Sequence, residues 1–130
     1  MSSVLVIDDS DSVRRTVRTM LESAGHDVVV ASDGVDGITQ FQEQSFDLVI
    51  SDVVMPRKDG LQTVRELRQM TDEVPIIVMS GGLQLSNSGG GRRDIDDLLC
   101  VAKDIGATRT ISKPFSQGDL LAVVGECLGR

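Results

Sequence analysis

No stretch of this 130-residue chain is apolar for long enough to cross a membrane, and no basic segment precedes the short run Val4-Leu5-Val6-Ile7. The N-terminus reads as neither a signal peptide nor an anchor, and a cytoplasmic protein is expected. Positive charge is scarce: thirteen basic residues face twenty acidic ones, for a net charge of -7. That balance opposes long-range attraction to nucleic acid or to an anionic membrane, so neither is expected as a partner. The two cysteines, Cys100 and Cys127, have no Cys or His at metal-ligand spacing, which excludes a disulfide framework and a zinc site of the usual kind. On helical projection Cys127 joins the apolar stripe of Leu120, Val124 and Leu128, whereas Cys100 falls away from Ile95, Leu98, Leu99 and Ala102. The only histidine, His26, lies in the turn-like Ala24-Gly25-His26-Asp27 and reads as a solvated loop residue rather than a catalytic one. There is no internal repeat and no linker, and only residues 86–91 are rich in glycine. One domain over residues 1–130 is expected, with no output domain attached.

What the chain does contain is organised around residues 46–60. The apolar run Leu48-Val49-Ile50 is too short for a helix and reads as a strand buried on both faces. It leads to Asp52; Pro56 then blocks continuation, and Asp59-Gly60 starts a helix that carries Leu61, Val64 and Leu67 at helical spacing. The same alternation runs through the rest of the sequence. Val4 to Ile7 is a strand, Ser10 or Asp11 caps a helix with Val13, Val17, Met20, Leu21 and Ala24 on one face, and Gly25 stops it. Val28 to Ala31 is the second strand, followed by a helix using Val35, Ile38 and Phe41. Ile76 to Met79 is the fourth strand and ends on Ser80. A fourth helix is expected over about 94–105, a short strand from Arg109 to Ser112, and a last helix capped by Ser116 and running to about Leu128. Five strands each followed by a helix predict an α/β fold: a doubly wound, five-stranded parallel sheet with five helices on its two faces.

In such a sheet the carboxyl ends of the strands line the ligand crevice. Strand one delivers Asp8 and Asp9 there, strand three Asp52, strand four Ser80 and strand five Lys113. Three carboxylates this close repel, so they either hold a proton or bind a hard divalent cation through oxygen, for which Mg²⁺ is the economical choice. With a cation bound, Asp52 keeps its charge and can attack a phosphoryl group, while Lys113 and the Ser80 hydroxyl stabilise charge on the phosphoryl oxygens. Each feature alone has a plainer reading: an Asp-Asp pair caps helices, a serine before Gly-Gly is a turn residue, and a lysine is usually solvated. Their joint occurrence at the ends of apolar runs in one α/β order favours a site.

These residues, with Met55-Pro56 and Asp59-Gly60 behind Asp52 and Lys113-Pro114-Phe115 after the last strand, give the chain a close resemblance to the single-domain, CheY-like response regulator receiver domains over essentially its whole length. The resemblance implies the flavodoxin-like strand order 2-1-3-4-5, for which this family is itself a standard example. It also implies that Asp52 is the phosphoacceptor, that Asp9, Asp52 and the Val54 carbonyl ligate Mg²⁺ directly, and that Asp8 acts mainly through water. A sensor histidine kinase or a histidine phosphotransfer protein would be the donor, docking beside the first helix, where Arg14, Arg15 and Arg18 lie off the apolar stripe. The downstream partner is not legible. The chain would be a signalling domain of a two-component system, not an enzyme. With Val54 and Gly82 unable to hold the hydrolytic water by side-chain hydrogen bonds, its autodephosphorylation would be slow.

Two positions depart from the family pattern: Thr110 stands where many members carry a switching aromatic, and residues 81–91 form a long connection. With the aromatic absent, the connection from Gly81 to Arg93 is the expected carrier of the conformational switch. Two other functions share part of this pattern. A degenerate receiver acting as a phosphorylation-independent binding module would be favoured by loss of Asp52 or Lys113, and both are present. A Mg²⁺-dependent aspartyl-phosphate phosphatase commonly needs a carboxylate two residues after its nucleophile, and here that residue is Val54.

Overall fold

The computed structural model describes residues 2–52, 60–80, 106–112 and 115–129. Five strands, β1 (Ser3–Ile7), β2 (Asp27–Ala31), β3 (Leu48–Asp52), β4 (Ile76–Ser80) and β5 (Arg109–Ser112), form one sheet in the order β2-β1-β3-β4-β5. All four pairings are parallel, with Val4 opposite both Val28 and Leu48, Val49 opposite Ile76, and Ile77 opposite Arg109. The order is the expected 2-1-3-4-5. Among the described residues there are four helices: α1 (Asp11–Ser23), α2 (Gly34–Glu43), α3 (Gly60–Met70) and α4 (Gln117–Leu128). The helix expected over 94–105 lies outside the described residues, as do Cys100, Val54, Gly82, Lys113 and the 81–93 connection.

Because successive strand residues face opposite sides, each apolar run supplies two cores at once. Leu5, Ile7, Val49, Ile76 and Val78 pack with Val64 and Leu67 of α3, and Ile38 and Phe41 of α2 close that side. On the other face Val4, Val6, Leu48, Ile50, Ile77 and Met79 meet Val17 and Leu21 of α1 and Leu120 and Val124 of α4. Cys127 packs half-buried against this second core, and burial pushes its thiol above the ordinary cysteine value, with Arg109 opposing and Glu126 adding to the shift.

The helix ends follow from local chemistry. Ser10 caps α1 by accepting from Val13 N–H, and Ser116 and Asp119 form a reciprocal capping box on α4. At the end of α1, Gly25 takes φ +92°, its N–H donates to Glu22 O, and His26 N–H donates to Leu21 O. This paired closure needs a left-handed residue, which glycine adopts without strain. It also draws His26 against the helix end, so the imidazole is half-buried and not the solvated loop group that the sequence predicts. Ala24 is the C-cap and is exposed, outside the stripe assigned to it.

One further expectation changes on α2. Val35 is 40% exposed, because the helix turns Gly34 and Gly37 toward the sheet with Ile38 and Phe41 beside them, and Val35 projects away. A Cβ on Gly37 would overlap the Ile7 side chain, with Ile7 Cγ1 only 2.8 Å away. Gly118 of α4 is the opposite case, since a Cβ there would meet only Ser116 Oγ at 3.8 Å. Gly37→Ala is therefore expected to lose about 1–3 kcal/mol by overpacking, less the helix-propensity gain of about 1 kcal/mol. Gly118→Ala is expected to gain about 0.4–1 kcal/mol. Urea unfolding followed by circular dichroism measures both, and equal signs for the two variants would contradict this assignment of faces.

Candidate functional site

Sheet register builds the site. Ile7 lies opposite Ser51, so the next residues, Asp8 and Asp52, stand side by side at the carboxyl edge of the sheet. By strand alternation Asp8 follows Val4 and Val6, and Asp52 follows Leu48 and Ile50, on the α1/α4 face. Asp8 is fully buried and Asp52 only 6% exposed, while Asp9 is exposed. One carboxylate oxygen from each of the three residues lies within 4.8 Å of the others. The structure thus brings together three of the residues singled out from sequence, and separates Asp8 from Asp9 by burial.

Contacts of Asp8 hold the β1–α1 turn. Asp8 N–H continues the parallel ladder by donating to Ala31 O at 3.1 Å, and Asp8 Oδ1 accepts from Ser10 N–H at 2.8 Å. The Asp8 carbonyl accepts from Arg14 Nη1 at 2.7 Å. On the neighbouring strand, the fully buried Ser51 donates from Oγ to the Asp52 carbonyl at 3.1 Å. Both buried aspartates are therefore anchored through main chain.

Ser80 ends β4 one residue beyond Met79, the register partner of Asp52, and lies opposite Ser112, the residue before Lys113. The strand ends that carry the expected hydroxyl and lysine thus adjoin the acidic edge. Lys113 and Val54 themselves lie outside the described residues. Thr110 is half-buried opposite Val78, in the middle of β5.

The sequence places Arg14 off the apolar stripe of α1, beside the expected docking surface; the structure turns it onto the Asp8 carbonyl. The usable signal was the Asp11–Arg14 spacing, which makes an i,i+3 ion pair of 2.6 Å and turns the guanidinium back over the first turn of α1. Chemically, the cluster offers only hard oxygen donors, two of them buried, and so fits a small divalent cation better than a softer metal.

Comparison with known proteins agrees with this geometry. The family model for the response regulator receiver domain matches residues 4–125. The response regulator MprA of Mycobacterium sp. (strain KMS) is 35% identical over 127 residues, covering 98% of this chain and 50% of that protein. The chain thus spans about half the length of the curated relatives it matches. Among solved structures, the chemotaxis protein CheY4 of Vibrio cholerae is 32% identical with a TM-score of 0.81, covering 98% of this chain and 99% of that one. A response regulator receiver domain protein from Clostridium thermocellum is 28% identical with a TM-score of 0.84, covering 100% and 96%. With the strand order, the acidic edge and the match over residues 4–125 in agreement, this chain belongs to the response regulator receiver domain family, the signalling modules of two-component systems.

Proposed function

We propose that this domain accepts a phosphoryl group onto Asp52 from a phosphohistidine, on a sensor histidine kinase or a histidine phosphotransfer protein, in a Mg²⁺-dependent reaction. The observation that carries the reading is the convergence of Asp8, Asp9 and Asp52 at one sheet edge, two of them buried. Asp9, Asp52 and the Val54 carbonyl are assigned as direct Mg²⁺ ligands, and Asp8 as a ligand through water. When bound, the ion offsets the carboxylate charge and stabilises the oxygens of the phosphoryl group in flight. An Asp52 carboxylate oxygen forms the new bond to phosphorus as the bond from phosphorus to the histidine nitrogen breaks, and the nitrogen keeps the electron pair. Asp52 is suited to this role because the sheet fixes its main chain, which removes much of the orientational cost of attack. Lys113 and the Ser80 hydroxyl are assigned to the phosphoryl oxygens.

The phosphorylated domain then signals by noncovalent contact with a downstream protein. With a net charge of -7, direct contact of this domain with nucleic acid or an anionic membrane is no part of the proposal. No helix among the described residues is long and apolar enough to cross a membrane.

Incubation with Mg²⁺ and acetyl phosphate, followed by intact mass measurement, tests the proposal without a kinase. The expected result is a gain of one phosphoryl group that disappears on chelation and in Asp52→Asn. A wild-type protein that gains nothing, or a gain that persists in Asp52→Asn, removes Asp52 as the acceptor.

A further inference from the structure

Among the arginines of α1, Arg14 alone reaches main chain with its guanidinium. Nη1 donates to the Asp8 carbonyl at 2.7 Å and Nη2 to Asp11 Oδ1 at 2.6 Å, so one planar fork ties the end of β1 to the first turn of α1. The Arg14 side chain is 17% exposed; that of Arg15, which pairs with the same Asp11 carboxylate at 3.3 Å, is 78% exposed. The carbonyl that Arg14 holds belongs to the peptide plane between Asp8 and Asp9, and a planar peptide fixes the direction in which the chain enters Asp9. Asp9 has no comparable support of its own. Its carboxylate is exposed and makes no hydrogen bond to the described residues.

We infer that Arg14 is a positioning residue for the metal-binding carboxylate of Asp9, acting through the Asp8 carbonyl. This rests on the reading of Asp8, Asp9 and Asp52 as a Mg²⁺ site. Two effects of Arg14 oppose each other there. Its positive charge repels a cation, so removing it would tighten binding if charge dominated; its hold on the turn preorganises a ligand, so removing it would weaken binding if geometry dominated. The short, shielded hydrogen bond to main chain favours geometry, since a charge close to its own Asp11 partner is largely offset at a distance.

Mn²⁺ binding followed by electron paramagnetic resonance, with Mg²⁺ as competitor, decides between them on the full chain. Arg14→Ala is expected to weaken Mn²⁺ binding about tenfold, the low end of what loss of an outer support costs a metal site. Arg15→Ala removes an equal charge paired with the same Asp11 carboxylate, but Arg15 touches no main chain with its guanidinium, and the variant's affinity is expected to stay within about twofold of wild type. Arg14→Lys keeps the charge but cannot span both oxygens, and falls between; it also carries the test if the alanine variant does not fold. Melting temperatures of the metal-free proteins identify any loss that merely follows unfolding. Unchanged or tightened binding in Arg14→Ala, or an equal loss in Arg15→Ala, overturns the inference. A wild-type protein that binds no Mn²⁺ overturns the metal-site reading beneath it, a separate and distinguishable result.

Discussion

Asp9→Ala is expected to weaken Mg²⁺ binding at least about tenfold while the protein keeps its fold. At the proposed Mg²⁺ site the variant would remove a full negative charge beside the divalent ion, where the separation is short and screening by salt is slight. It removes little else. Asp9 is exposed and contributes nothing to either core, whereas the fully buried Asp8 also accepts from Ser10 N–H, so Asp8→Ala would mix loss of charge with damage to the turn. A general field effect is separated by Asp27→Ala, which deletes the same charge from the exposed first residue of β2, at the opposite edge of the sheet. Amide shifts followed by NMR during Mg²⁺ titration give the three affinities. Asp27→Ala should match wild type; if Asp9→Ala matches it too, Asp9 is not a ligand.

The difference between Asp8 and Asp9 also marks where sequence reading stops. Runs such as Leu48-Val49-Ile50 and Ile76-Ile77-Val78-Met79 are legible because strands covered on both sides must be apolar at every position, and these residues are fully buried. The carboxyl edge is legible for the same reason in β1 and β4, whose runs end at Asp8 and Ser80, whereas in β3 the first polar residue, Ser51, is still buried within the sheet and Asp52 follows it. Which aspartate then turns inward is set by strand parity and by a turn that only the folded chain displays. Glycine misleads in the other direction. Gly34 and Gly37 carry no apolar side chain, so a pattern search assigns the buried face of α2 to Val35, although both glycines are buried and close packing on Ile7 selects Gly37. Strand β2 begins at Asp27, one residue before its apolar run, because pairing with Ser3 uses main chain and is indifferent to an exposed side chain. Arg14 and Arg68 escape for a related reason: their partners are carbonyl groups, which every residue carries and no sequence pattern reports.

Arg68 supplies the largest expected loss of stability. From the last turn of α3 its Nε donates to Gly106 O at 2.8 Å, and Nη1 donates to Val74 O at 2.6 Å and to Thr71 O at 3.4 Å. Nη2 donates to Thr108 Oγ1 at 3.2 Å, and that hydroxyl oxygen also accepts from Ile76 N–H at 3.1 Å. One guanidinium thus joins the end of α3 to the segments that begin β4 and β5, at the edge of the sheet opposite the acidic site. Burial pushes its pKa below the ordinary arginine value, with Asp72 opposing the shift, and arginine stays charged throughout the working range. Gly106 is matched to this arrangement, since it takes φ +124° and a Cβ there would meet Arg68 Cγ at 2.5 Å and Nε at 2.9 Å.

A hydrogen bond from a charged donor contributes about 1.5–3 kcal/mol. These bonds share one half-buried side chain and are not additive, so Arg68→Ala is expected to lose about 2–3 kcal/mol in all. For a domain of this size that lowers the melting temperature by roughly 8–12 °C. Because the chain has neither tryptophan nor tyrosine, the melt is followed by far-ultraviolet circular dichroism. Arg68→Met retains the aliphatic stem beside Gly106 and loses only the donors, so it reports the hydrogen bonds apart from packing. Arg68→Lys keeps the charge but cannot reach all of the oxygens at once, and should recover less than half of the loss. If Arg68→Met melts with wild type, the carbonyl contacts do not hold these segments together.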